Sequence, residues 1–549
     1  MKQISASVCT VLAETSPQAL PLGAACIASA LKKRFMLQNI QSINPFELSV
    51  HLCVFSMEEK PDAAYIARKI FETKSIIVCF SLFVWNRAVL EKTAQLLRKL
   101  WKENGIDGFI IAGGPEVTAS PSSFSGNDNV FDFLSCGSGE KTIPDLVEKI
   151  LSPSFSISKT AGEKRIVYGT DADIDMYNSP YLDRTLDPDS YGGSLWELAR
   201  GCPFKCSYCY ESKGSKKVSY FPMERIMQEI DFFAQKKVRQ IFVLDPTYNA
   251  DTDRALRMLH LIKEKLPHTF FHFECRAEFL TPVLAKAFAS IPCSLQIGLQ
   301  SADEKVLSLV NRTFNKKEFT RKIAMLNESG AVFGFDLMYG LPGDTLGSFK
   351  DSIDYAISLQ PNHLELFRLS VLPGTDLRDR ALELGLEYDE NPPYLVRSTP
   401  SCSEKDLHKA EQIAKACTIF YSQGKAVTWF VPVIKPLKIS ASKFFENFGQ
   451  YMGDVKNKDS LSQADIEKLQ IDFIKKEYSE KKLLPLLSWA ADMICLYSAL
   501  ARYESERKDT QLALHYPAES LLNIAALDGP SFCRMYKPAK YSVKVSHIY

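Results

Sequence analysis

The first 150 residues alternate short apolar runs with amphipathic stretches of helical period. Apolar runs at 4–12, 48–55, 75–81, 108–113 and 131–136 predict five strands, and stretches near 22–33, 63–72, 86–102 and 140–150 predict the helices between them. Such β/α alternation implies an α/β class domain, an open, doubly wound parallel sheet of flavodoxin type whose ligands lie beyond the strand C-termini. Residues 151–194 are rich in Ser, Asp, Pro and Gly and read as a linker with an extended segment over 174–182. A second alternation follows over 195–385, with strands at 195–199, 240–244, 270–275, 294–299, 333–339 and 363–369. Six consecutive β/α units predict a partial (β/α)6 barrel. From 386 to 549 helical periodicity dominates, so a mainly α accessory or substrate domain is expected.

The most apolar run, 481–500, contains Pro485 and Asp492 and reads as a buried helix rather than a membrane span. The basic, aromatic tail 534–549 offers an added strand or a substrate clamp, with an ordinary solvated terminus the preferred reading. Across 549 residues, 66 Lys+Arg against 65 Asp+Glu give a net charge of +1, which asks for neither nucleic acid nor a membrane surface. The 14 cysteines are scattered apart from one triplet, and the opening residues carry no leader pattern, so a reducing cytoplasm is expected.

That triplet carries the candidate chemistry. In WELARGCPFKCSYCYESKG, Cys202, Cys206 and Cys209 follow a Cys-x3-Cys-x2-Cys spacing on the loop leaving the first barrel strand. Three thiolates are one short of what structural zinc or a conventional iron-sulfur cluster takes, so a cluster held there keeps one iron open to a ligand. Tyr208 adds an aromatic wall. The competing reading is a zinc knuckle with a distant fourth ligand such as Cys275 or Cys293, although no second Cys/His pair accompanies it. Polar residues gather where the barrel strands end: Asp245, Glu274, Gln300 and Asp336. In the first domain, Gly113-Gly114 and Ser138-Gly139-Glu140 form loops at strand ends, the second opening into a helix, where backbone can approach a bulky or anionic ligand.

The cysteine spacing with an aromatic before the third cysteine resembles the radical S-adenosylmethionine (SAM) superfamily. The later segments QIGLQS, VNR, FDLMYGLPGD and LSVLPGT are similar to the branch that includes oxygen-independent coproporphyrinogen oxidases and cobalamin-dependent radical enzymes. Residues 1–150, with PLGAACIASAL and SLFVWN, resemble the cobalamin-binding domain that precedes one large class of these barrels. The departure is the lack of an Asp-x-His-x-x-Gly motif, which removes the usual histidine below the cobalt. The helical C-terminal extension resembles that of a poorly characterised group within the class.

This resemblance implies a [4Fe-4S] cluster on Cys202, Cys206 and Cys209. It implies SAM contacts from Tyr208, Asp245, Glu274, Gln300, Arg312 and Asp336, with Arg312 on the carboxylate and Asp336 on the ribose. It implies cobalamin contacts from Ser81, Gly113, Gly114, Ser138, Gly139 and Glu140. No catalytic residue beyond the cluster ligands is assigned. The activity implied is reductive cleavage of SAM to a 5′-deoxyadenosyl radical in a cobalamin-dependent methyltransferase acting on an unactivated carbon. A cyclase or oxidative enzyme without methyl transfer, and a cobalamin- or redox-sensing binding protein, are the alternatives. Implied partners are a small-molecule or peptide substrate and a reduced flavodoxin or ferredoxin-type donor, in a cytoplasmic, anaerobic setting.

Overall fold

The computed structural model describes residues 2–40, 46–124, 130–152, 165–169, 174–212, 217–453, 461–507 and 509–546. Its first sheet is built from β1 (Lys2–Leu12), β2 (Phe46–Ser56), β3 (Ile77–Ser81), β4 (Phe109–Gly113), β5 (Phe133–Cys136) and β6 (Arg165–Tyr168). The order is β2-β1-β3-β4-β5-β6 and every pairing is parallel. This is the 2-1-3-4-5 flavodoxin-type order with one strand added. Helices α1 (Leu22–Ile40), α2 (Ala63–Glu72), α3 (Arg87–Glu103), α4 (Pro115–Ala119) and α5 (Gly139–Leu151) connect the strands. Val78, Phe80, Leu97 and Trp101 form the core on one face, and Val8, Ile77, Leu31 and Val147 the core on the other. The sheet is therefore doubly wound, as the alternation predicts.

β6 corrects the linker expectation. It is only four residues long, and Ile166 and Tyr168 stay exposed, so Val167 alone packs inward and no alternating pattern betrays it. Residues 153–164 and 170–173 of that stretch lie outside the described residues. The extended segment expected over 174–182 is instead a 3-10 turn, Ile174–Met176, followed by a turn that buries Tyr181 against Phe232 and Phe233. The Tyr181 hydroxyl donates to the Leu195 carbonyl and staples this segment to the barrel.

The second sheet contains β7 (Ser194–Trp196), β10 (Gln240–Val243), β11 (Phe270–Cys275), β12 (Cys293–Gln300), β13 (Phe333–Tyr339) and β14 (His363–Arg368). All six are parallel, in the order β14-β13-β12-β11-β10-β7. β14 and β7 do not pair, which leaves a partial barrel. The run expected as one strand over 195–199 splits. Asp245 Oδ1 accepts the Leu198 and Ala199 N–H groups at 2.8 and 2.9 Å, so the chain leaves the sheet and forms β8 (Ala199–Arg200), antiparallel to β9 (Ser219–Tyr220). Alternation along the strands separates two faces. Phe271, Phe273, Leu295, Ile297, Phe335 and Leu337 are buried, whereas Glu274, Gln296, Asp336 and Glu365 occupy the alternate, inward positions.

The C-terminal region is mainly helical. A π-helical turn, Thr418–Gln423, docks on the free edge of β14, where the Ser422 hydroxyl accepts from the Leu364 N–H and donates to the Leu364 carbonyl, both at 2.9 Å. A strand edge that would otherwise stay unpaired is capped by one side chain. In the apolar helix Leu487–Glu506, Trp489, Met493, Ile494 and Leu496 are fully buried. Its Asp492 accepts the backbone N–H groups of His515 and Tyr516, which accounts for a carboxylate in so apolar a run. The tail departs from the expected solvated terminus: Tyr541–Val545 pairs antiparallel with Thr510–Leu514 because Val545 and Leu514 bury their side chains together with this helix's core.

Candidate active site

The cysteine loop is gripped from two sides. The Ser207 N–H donates to the Val310 carbonyl at 3.0 Å and the Ser207 carbonyl accepts from the Leu377 N–H at 2.8 Å. Asn311, in a left-handed conformation, donates from Nδ2 to the Lys205 carbonyl at 2.6 Å. Arg312 places Nη1 4.0 Å from Cys206 Sγ and donates from Nη2 to the Gly298 carbonyl. Cys202 Sγ lies 3.6 Å from Thr247 Oγ1, and the Cys209 thiol is pushed up to about 11 by burial, with Cys206 and Cys202 adding to the rise. Tyr208 packs its ring on the barrel core. Lys213 and Gly214, at the end of the motif, lie outside the described residues.

Among the described residues no three Cys, His, Asp or Glu side chains close around a single metal ion. A cubane places its ligand sulfurs on separate corner irons, a wider spread than a mononuclear cage. Three soft thiols on one loop, with a guanidinium beside Cys206 to offset thiolate charge, fit such a cluster. Cys275 and Cys293 are buried in β11 and β12 on the side of the sheet that packs against helices, facing Tyr248 rather than the loop.

The barrel interior collects acids. Glu274 is pushed up to about 8 by burial and by Asp336 and Glu365, and Asp336 to about 6 by burial, against a hydrogen bond from Gln296 that lowers it. Glu274 is nevertheless open to solvent, because it lines the hollow of the barrel while protein surrounds it on most sides. Gln300 ends β12 with φ 68° at a bulge, which turns its side chain back towards Gly298. Asp245 is buried, pushed up to about 7 by burial, and its Oδ1 holds the two backbone N–H groups that bend the chain into the cysteine loop. Glu274 and Asp336 bind protons more tightly folded than unfolded, so their contribution to stability is full below about pH 4 and lost as pH rises through 6 to 8. Glu274→Gln is therefore expected to raise the thermal unfolding midpoint of the cofactor-free protein at pH 8 and to leave it unchanged at pH 4; a gain of equal size at both pH values would remove this assignment.

The first domain sets its C-terminal edge against the same loop. Arg200, two residues before Cys202, pairs with Glu140 at 2.5 Å and reaches the Ser138 hydroxyl at 3.4 Å. Tyr210, just past Cys209, contacts Thr118. Glu116 accepts from the Tyr394 hydroxyl at 2.7 Å and pairs with Arg87 at 3.2 Å. Ser81, Gly113 and Gly114 lie at the ends of β3 and β4, on this edge. Gly139 packs under Ile27, so its missing side chain serves the protein's own core. Gly113 differs: a Cβ there meets nothing nearer than 3.5 Å, and beside it the buried Ser135 Oγ has no hydrogen-bond partner. A buried hydroxyl with no protein partner, beside a glycine at the strand end, fits a polar contact to a bound cofactor.

Residues 196–356 match the Radical SAM superfamily. These residues form a radical SAM domain. The chain is 26% identical over 334 residues to the cobalamin-dependent radical SAM methyltransferase TokK of Streptomyces tokunonensis, covering 55% of this chain and 48% of TokK, so it spans about half of that enzyme. It is 22% identical over 479 residues to 2-(S-pantetheinyl)-carbapenam-3-carboxylate methyltransferase of Streptantibioticus cattleyicolor, covering 78% and 69%. Its fold matches the cobalamin-dependent radical enzyme OxsB, solved with aqua-cobalamin and SAM, with a TM-score of 0.58 at 12% identity over 88% of this chain and 80% of OxsB. The fold class and family read from the sequence agree with these matches, and the cofactors expected from it are of the kinds these proteins are described with.

Sequence reasoning missed Val310, Asn311, Glu365, Gln296, His363 and the Arg200 and Glu116 contacts. Some of these were within reach. Val310 and Asn311 sit in VNR beside Arg312, while Gln296 and His363 share the inward parity of Gln300 and Glu365.

Proposed function

We propose that this protein is a cobalamin-dependent radical SAM methyltransferase acting on an unactivated carbon. The observation that carries the reading is the meeting of two faces: the Gly113 and Ser138 loops abut the cysteine loop through Arg200–Glu140 and Tyr210–Thr118. Cys202, Cys206 and Cys209 would hold the cluster. Glu274, Gln300, Arg312 and Asp336 would hold SAM, with Tyr208 walling the site. Ser81, Gly113, Gly114 and Ser138 would line the cobalamin cradle with Ser135. Asp245 acts one step removed, by setting the loop's backbone. When bound, the cluster and SAM supply radical generation and cobalamin supplies the methyl group. The chain's own part is to orient these groups and exclude water.

A test begins with protein made without oxygen in cobalamin-supplemented cells. Four irons and one cobalamin per chain are expected, with SAM cleaved under a strong reductant and labelled methyl from SAM appearing on cobalamin. Cleavage without label on cobalamin would replace methyl transfer with other radical chemistry. Tight cobalamin binding with no SAM binding would leave a sensor.

A further inference from the structure

A chain of hydrogen bonds crosses three strands inside the barrel. His363, the first residue of β14, places Nε2 2.6 Å from Gln296 Oε1 on β12. Gln296 Nε2 in turn donates to Asp336 Oδ1 on β13. β13 lies between the other two strands, so His363 must reach across it. It does so at Gly334, the register partner of both Gln296 and His363. A Cβ on Gly334 would come within 2.2–2.5 Å of three imidazole atoms, so only glycine leaves the path open.

The chemistry gives this chain a direction. An ionised carboxylate only accepts, so the amide turns its NH2 to Asp336 and its carbonyl to His363. His363 then has to donate, which fixes it as the Nε2–H tautomer. Burial keeps the imidazole neutral by pulling it down to about 4. Burial and Glu365 from β14 press Asp336 towards its neutral form, while the Gln296 donor and Arg312 favour the charged one; the Asp336 charge in turn pushes Glu274 of β11 towards its neutral form. Below this layer His272, also neutral, stacks on Phe242 at 4.0 Å and meets Gln240 at 2.7 Å, so the positive charges that reach the chain are Arg312 at Asp336 and Lys425 at His363.

We propose that His363 and Gln296 are positioning residues that, passing over the bare Gly334, commit one oxygen of Asp336 and present the other as an ionised acceptor to a ligand hydroxyl. The ligand half rests on the reading above, in which Asp336 holds the SAM ribose. Gln296 acts through Asp336, so its removal matters only while Asp336 is there to be positioned.

The test combines a measurement without ligand and a binding cycle. In ¹⁵N-histidine spectra of the anaerobically reconstituted full chain, His363, assigned by its loss in His363→Phe, is expected as the Nε2–H tautomer; an Nδ1–H tautomer overturns the relay. SAM dissociation constants are then measured by equilibrium dialysis for wild type, Gln296→Met, Asp336→Asn and the double variant. Gln296→Met is expected to weaken binding about 10-fold, the scale of a hydrogen bond to a charged group, and to move the pH inflection of affinity upward. In the Asp336→Asn background it should change binding less than about 2-fold, as a coupled pair does. An equal loss in both backgrounds overturns the proposal. Wild type that binds no SAM overturns the functional reading and the ligand half of this one, and the tautomer still decides the relay.

Discussion

Cys206→Ala is expected to leave the protein folded, to empty it of iron and to bring SAM cleavage to background. The reasoning is local. Cys206 is the most buried of the three thiols and the one beside the Arg312 guanidinium. The backbone around it is fixed independently, by Ser207 between Val310 and Leu377 and by Asn311 on Lys205, so the loop keeps its shape without the sulfur. Two cysteines cannot hold a cubane that already has one open iron. Iron and sulfide per chain, circular dichroism and SAM cleavage read the three parts separately. Cys275→Ala serves as the control: retention of all iron is expected, because that thiol lies in β11 away from the loop. Iron loss in Cys275→Ala would instead restore a four-thiolate site of the zinc-knuckle kind.

Phe420→Ala is the second large effect, here on stability. Phe420 is fully buried in the π-helical turn and meets the rings of Trp429, Phe430, Phe444, Phe448 and Phe473 at centroid distances of 4.9–6.3 Å, all edge-on. Truncation removes the hub of that cluster and leaves a cavity, a loss of about 3–5 kcal/mol. Urea unfolding should show it as a lower midpoint, whereas Leu382→Ala, at a residue 95% exposed, should leave the midpoint in place. The same turn carries Ser422 on Leu364, so the loss is expected to loosen β14 and, with it, His363 and Glu365. Amide exchange at Leu364 faster than in wild type would show that coupling; unchanged exchange would separate the aromatic cluster from the strand edge.

How much of this the sequence disclosed follows from where each signal lies. The two sheets were legible because Val78 to Phe80 is an unbroken apolar run of the kind buried parallel strands need, and Phe333 to Leu337 alternates large apolar residues with Gly334 and Asp336 at a period of two. The cysteine triplet stood out by its spacing, whereas Arg312 and Asp336 were singled out by the resemblance of VNR and FDLMYGLPGD to the superfamily. β6 was hidden by its length, and the split of the first barrel strand by a contact 47 residues away in the chain, Asp245 on Leu198. Non-local hydrogen bonds of this kind leave no periodicity. The His363–Gln296 pair was hidden for the same reason, although Gly334, lacking a side chain in a strand otherwise full of large ones, was its visible trace.

The Glu116–Tyr394 contact joins residues 278 positions apart. A ribosome adding roughly 5–20 residues per second needs about 14–56 s between placing the first and the second. Throughout that interval the first domain's α4 carries a carboxylate without the tyrosine hydroxyl that finally meets it, although the cysteine loop itself is made about a third of the way through. The edge of the first domain at α4 therefore gains its last partner, Tyr394, only when the chain is nearly three-quarters made.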